Sequence, residues 1–134
     1  MCRKWIKVGI VAGVVGVIVS IILQVLASGI TGPIFQSSAA VWKSWNAPEM
    51  YVMYLVPVWI GLIMALVYTN LDKKSHMYKN GWIFGFKVWL LAGLPGMLMT
   101  YSSFAVPDTL VVLWMVTGLI QYLIMGWIIA RMRP

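Results

Sequence analysis

Four apolar runs, each long enough to cross a bilayer, occupy most of this chain: roughly residues 8–28, 51–69, 82–101 and 109–130. A hydrocarbon core of ~30 Å takes about 20 helical residues to cross. Backbone polar groups in lipid must be satisfied within the structure, which leaves helices or a closed barrel. Barrel strands alternate in polarity over ~10 residues, and these runs do not alternate. The expected fold is all-α: one transmembrane domain over residues 1–134, an integral membrane four-helix bundle. A soluble domain of 134 residues could not clothe its surface from a chain that is 62% hydrophobic and 10% charged.

The charge balance is ten basic residues against three acidic, a net charge of +7. On a soluble chain that excess would point to nucleic acid. Here the cations sit between apolar runs, so topology explains them and no nucleic-acid partner is expected. Arg3, Lys4 and Lys7 precede the first run, Lys73, Lys74 and Lys79 lie between the second and third, and Arg131 and Arg133 follow the fourth. With four crossings these segments share a side, and the opposite side keeps only Lys43, with Glu49 and Asp108. The positive-inside rule then puts both termini in the cytoplasm, in a bacterial-type inner or plasma membrane, with a basic collar facing anionic head groups. The first run is longer than the about 7–15 residues of a signal-peptide core and has no compact cleavage site, so it is expected to stay as a helix.

Local chemistry marks the ends. Asn46-Ala-Pro-Glu49 reads as a cap for the second helix, Asn80-Gly81 precedes the third, and Asp108 is a candidate cap for the fourth. Gly29, Gly32 and Pro33 offer stops for the first. The connection that follows is rich in Ile34, Phe35, Val41, Trp42 and Trp45, which suits an interfacial helix within 34–45, a re-entrant segment being the alternative.

Helices in lipid associate largely through small residues. Gly9, Gly13 and Gly16 in the first helix, Gly61 in the second, Gly85 and Gly96 in the third, and Gly118 and Gly126 in the fourth are the expected packing positions. Pro57 should kink the second helix near Met53 and Tyr54, and Pro95 should disturb the outer half of the third. Trp59, Trp89 and Trp114 lie deep, where they fill gaps, face lipid or meet a lipid-like ligand.

Few polar groups lie at depth. Lys87 and Gln121 fall at broadly similar depths on neighbouring helices and form the candidate intramembrane polar site, with a snorkelling lysine and an interhelical hydrogen bond as the plainer roles. Gln24 is expected to lie too far toward the outer end to join them. One His and one Cys leave no Cys/His metal site, ten methionines read as apolar filling, and no cofactor is expected. No nucleotide, hydrolase or metalloprotease motif occurs, and the carboxylates Glu49, Asp72 and Asp108 all fall at membrane edges. The expected role is therefore non-enzymatic: an accessory subunit or homo-oligomeric bundle, with membrane lipids and a second membrane chain or copy as partners. The alternative is a small transporter or channel for an anionic or amphipathic solute built around Lys87, Gln121 and the Pro57 kink.

Overall fold

The computed structural model describes residues 2–38, 46–48 and 50–134. The order is α1 (Cys2–Ser37), α2 (Met50–Thr69), the single turn α3 (His76–Lys79), α4 (Gly81–Val88), a π-helical turn (Trp89–Gly93), α5 (Leu94–Ser103) and α6 (Asp108–Met132). The segment from α4 through α5 runs as one rod, so four helices are long and apolar enough to cross a membrane. They mark a multi-pass membrane protein, all-helical among the described residues.

α1 and α6 form the central pair; α2 packs on α1, and the third span packs on α6. Two glycine crossings set these contacts. A Cβ on Gly9 would lie 2.7 Å from the Leu62 Cα, and one on Gly61 would lie 2.7 Å from the Gly13 nitrogen. On the other side of the bundle, a Cβ on Gly126 would come within 2.7 Å of Gly85 Cα, and one on Gly81 within 2.8 Å of Trp127 Cα. Missing side chains let the backbones touch, which supplies the van der Waals gain that lipid does not oppose. Gly16 completes the set by admitting the Met125 sulfur between α1 and α6. Two expected packing glycines are not at crossings. Gly96 faces open space, and Gly118 meets only the Trp89 indole at ordinary contact distance.

The core lies toward one end. Val8, Met64, Tyr68, Phe84, Met125 and Ile129 are buried together, with Trp5, Leu71, Tyr78 and Ala130 packed against them. The chain's two terminal segments and the connection between α2 and α4 thus meet at this end, the basic end of the bundle. Tyr68 ties the connection down: its ring stacks on Tyr78 at 5.0 Å, meets Phe84 edge-on at 5.2 Å, and its hydroxyl donates to the Tyr78 carbonyl at 2.7 Å. Ser75 accepts from Tyr78 N–H to cap α3, and the Asn80 side chain accepts from Trp82 and Ile83 N–H to cap α4.

Several boundaries depart from the sequence expectation. α1 runs from Cys2 to Ser37 rather than 8–28, passing through Gly29, Gly32 and Pro33. Ending the helix there would bare backbone groups in an apolar stretch, a larger cost than the one hydrogen bond Pro33 removes. Hydroxyls of Ser28, Thr31, Ser37 and Ser38 bond carbonyls three or four residues back and help satisfy this region. Residues 34–37 therefore belong to α1, and residues 39–45 of the expected interfacial helix, Lys43 among them, lie outside the described residues, as does Glu49. Asp108 is the first residue of α6 and not its cap, a place held by Pro107 without a side-chain bond. Its carboxylate still sits where the helix dipole favours negative charge.

Candidate functional site

Pro95 shapes the most distinctive local geometry. It has no N–H for the Leu91 carbonyl, and its ring would crowd that carbonyl in a regular α-helix. The rod responds one turn earlier by widening into the π turn Trp89–Gly93, where Leu94 N–H bonds the Trp89 carbonyl five residues back. Single π turns in α-helices often occur at functional sites. This one forms a wall of a cavity of about 290 Å³ bounded by α1, α6 and the third span, with Ile60 of α2.

The wall carries Trp89, Gly93 and Gly96 from the third span, Ser20 and Gln24 from α1, and Trp114, Thr117 and Gln121 from α6. The Gln121 amide donates to the Gly16 carbonyl at 3.0 Å, joining α6 to α1 across the central crossing. Such a bond within a bilayer contributes about 1 kcal/mol. Gln24 reaches the same cavity although its Cα lies two turns beyond Gly16. Side chains on a helix lean toward its N-terminus, and the Gln24 amide drops one turn to the Ser20 hydroxyl, 3.4 Å away. Gln24 and Gln121 thus share a wall, and the expectation that Gln24 lies too far out is corrected.

A second, larger cleft of about 660 Å³ continues along the far half of α1. Gln24, Trp114 and Thr117 line both spaces, so the two adjoin. Its walls are Val25, Phe35 and Leu113 with polar points at Ser28, Thr31 and Tyr54. Met53 also lies on this wall. Pro57 cannot donate to the Met53 carbonyl, yet α2 remains helical through it, and Pro57 is buried, its carbonyl facing α1 at Gly13. Pro57 belongs to the helix contact and lines neither cleft.

Lys87 and Gln121 do not meet. Gly85 faces the α6 backbone, and a residue two positions later points ~200° around the helix. Lys87 is accordingly exposed on the outside of the bundle, away from both clefts. The three deep tryptophans divide: Trp59 is 66% exposed, whereas Trp89 and Trp114 line the cavity. The signal that could have found this site is Pro95 beside Gly93 and Gly96, facing the small and polar positions Ser20, Thr117 and Gln121.

Among the described residues, the candidate acid/base side chains stand apart. His76 is at the basic end while Asp108 starts α6 at the other, separated by ~36 Å of helix. Among the described residues no three His, Cys, Asp or Glu side chains converge as metal ligands would. The structure thus defines a bundle of four long apolar helices with an open cleft lined by Gln24 and Gln121. No family model matches the chain, and no curated protein or solved structure matches it either.

Proposed function

We propose that this protein is a non-enzymatic membrane subunit that assembles through the far half of α1, with a second copy or with another membrane chain. One observation carries the proposal: that half of α1 is apolar and unclothed. Leu26 is 76% exposed, Val25, Ile22 and Ile30 are all more than half exposed, and Gly29 and Gly32 face open space. The 36 residues of α1 extend ~54 Å, well beyond a ~30 Å hydrocarbon core. Open glycines beside bare aliphatic side chains suit close approach by another helix. The charge distribution supports a cytoplasmic placement of both termini, in an inner or plasma membrane. The collar of Lys4, Lys7, Lys73, Lys74, Lys79, Arg131 and Arg133 gathers where the terminal segments meet.

Extraction in native nanodiscs, followed by mass measurement, tests the assembly. The expected particle holds two or more copies, or one constant partner. Gly29→Leu with Gly32→Leu should reduce it to a folded monomer, because a Cβ at either position meets no atom within 4 Å. A wild-type particle holding this chain alone as a monomer would overturn the proposal.

The adjoining clefts favour a second role, the binding or passage of an amphipathic solute. Apolar walls punctuated by Gln24, Ser28, Thr31 and Gln121 suit a ligand with one polar end. Lys87 lies outside, and among the described residues no cationic side chain lines either cleft. Gly96 lines the inner cavity and a Cβ there meets nothing within 4 Å, so Gly96→Leu adds a side chain at the cavity wall. Binding of an apolar fluorescent probe to the purified protein should fall about tenfold on this filling, the scale expected when a pocket loses a methylene-sized space or more. Unchanged binding would exclude the inner cavity as the ligand space.

A further inference from the structure

A third concavity, of about 480 Å³, opens at the basic end between the start of α4 and the end of α6. Lys79, Arg131 and Arg133 line it together with Asn80, and among the described residues no carboxylate side chain lies on its wall. The sequence shows eight collar cations without distinguishing among them; the fold selects these three. Two features bring them together. Gly81 and Gly126 let the α4 and α6 backbones touch, so Lys79 and Arg131, at the ends of different spans, border the same hollow. The chain then turns back at Arg133, whose φ of 44° is left-handed and whose N–H bonds the Ile129 carbonyl. That turn puts Arg133 on the wall as well.

Below the cations, Trp82 and Trp127 stack at 6.1 Å and 29° and form the apolar side of the same concavity. Both rings are partly exposed. Tryptophan is favoured at the depth where head groups meet acyl chains. Cations above paired indoles, at a helix junction, have the polarity profile of one phospholipid: phosphate outward and glycerol and acyl chains against the rings.

We propose that this groove is a discrete site for one anionic phospholipid, its phosphate held by Lys79, Arg131 and Arg133 and its chains lying on the Trp82–Trp127 pair. The site depends on the chain residing in a bilayer and not on assembly through α1. A monomeric wild-type particle would therefore leave it standing.

Native mass spectrometry of the full chain, titrated with phosphatidylglycerol or phosphatidylcholine, reads the site directly. The wild type should take up one phosphatidylglycerol in preference to phosphatidylcholine. Lys79→Gln, Arg131→Gln and Arg133→Gln together should weaken phosphatidylglycerol about tenfold or more, given the contribution of each Lys or Arg near an anionic lipid. Lys73→Gln with Lys74→Gln removes collar charge outside the groove and should leave the affinity unchanged. Lys79→Gln alone, with a smaller loss in the same direction, keeps the test open should the triple variant not fold. Millimolar glycerol phosphate should not displace the lipid, because it lacks the chains that contact the indoles. Equal uptake of both lipids, or an equal loss in the Lys73/Lys74 pair, would reduce the groove to part of a diffuse field and overturn the proposal. Full displacement by glycerol phosphate would also overturn it, identifying a soluble phosphate compound as the occupant.

Discussion

Gly61→Ala is expected to destabilise the bundle by about 2–3 kcal/mol, the upper range for forcing atoms into a filled contact, while the same change at Gly96 is neutral or stabilising. At Gly61 the new Cβ would lie 2.7 Å from the Gly13 nitrogen and 2.9 Å from its Cα. Those are backbone atoms of the facing helix, so no rotamer change relieves them. α1 and α2 must separate, and the whole crossing, including Gly9 against Leu62, loses contact. At Gly96 a Cβ meets nothing within 4 Å, and alanine is favoured over glycine in a helix by up to ~1 kcal/mol. Unfolding in detergent mixed with increasing dodecyl sulfate, followed by circular dichroism, should show midpoints moving in opposite directions. Equal effects at the two positions would mean that the α1–α2 contact is not the tight one described. Gly61→Leu should leave no folded bundle.

Those two glycines also show what could be read from sequence. Small residues at helical spacing occur in every span, and the pattern alone does not say which of them another backbone touches. Gly9, Gly13, Gly61, Gly85 and Gly126 are at crossings, whereas Gly96 and Gly118 border a cavity. The four spans themselves were legible because hydrocarbon imposes a length and forbids unpaired backbone. The far limit of α1 was not, since glycine and proline stop helices chiefly where water can take up the freed carbonyls. In an apolar stretch they are carried through, as at Gly29–Pro33. The cavity was half legible. Pro95 announced a break in the third span, but only the π turn shows the register shift that puts Trp89 and Gly93 on the wall. Lys87 and Gln121 have similar depth, and depth alone fixes no azimuth: Gly85, two residues earlier, decides that Lys87 faces away.

Tyr68→Ala is expected to cost about 3–5 kcal/mol, the range for removing a large aromatic side chain from a packed core. The ring is fully buried and stands between the end of α2, the Tyr78 ring and Phe84. Its loss opens a void that none of these neighbours can fill by a rotamer change alone, and it frees the Tyr78 carbonyl from its 2.7 Å hydrogen bond. Tyr68→Phe separates the two contributions. It keeps the stack and removes only the hydroxyl, so it should cost about 1 kcal/mol. The larger effect has a location as well as a size. α3, which ends at Lys79, and the Asn80 cap are held to the bundle through this residue, so Tyr68→Ala should loosen the connection before it loosens the spans. Hydrogen exchange in nanodiscs should show amides 75–80 losing protection in Tyr68→Ala, with α1 and α6 still protected at the Gly16–Gln121 crossing. Uniform loss across all four spans would mean that Tyr68 supports the whole bundle and not the connection in particular. Protection unchanged at 75–80 would mean that the serine and asparagine caps alone hold the connection.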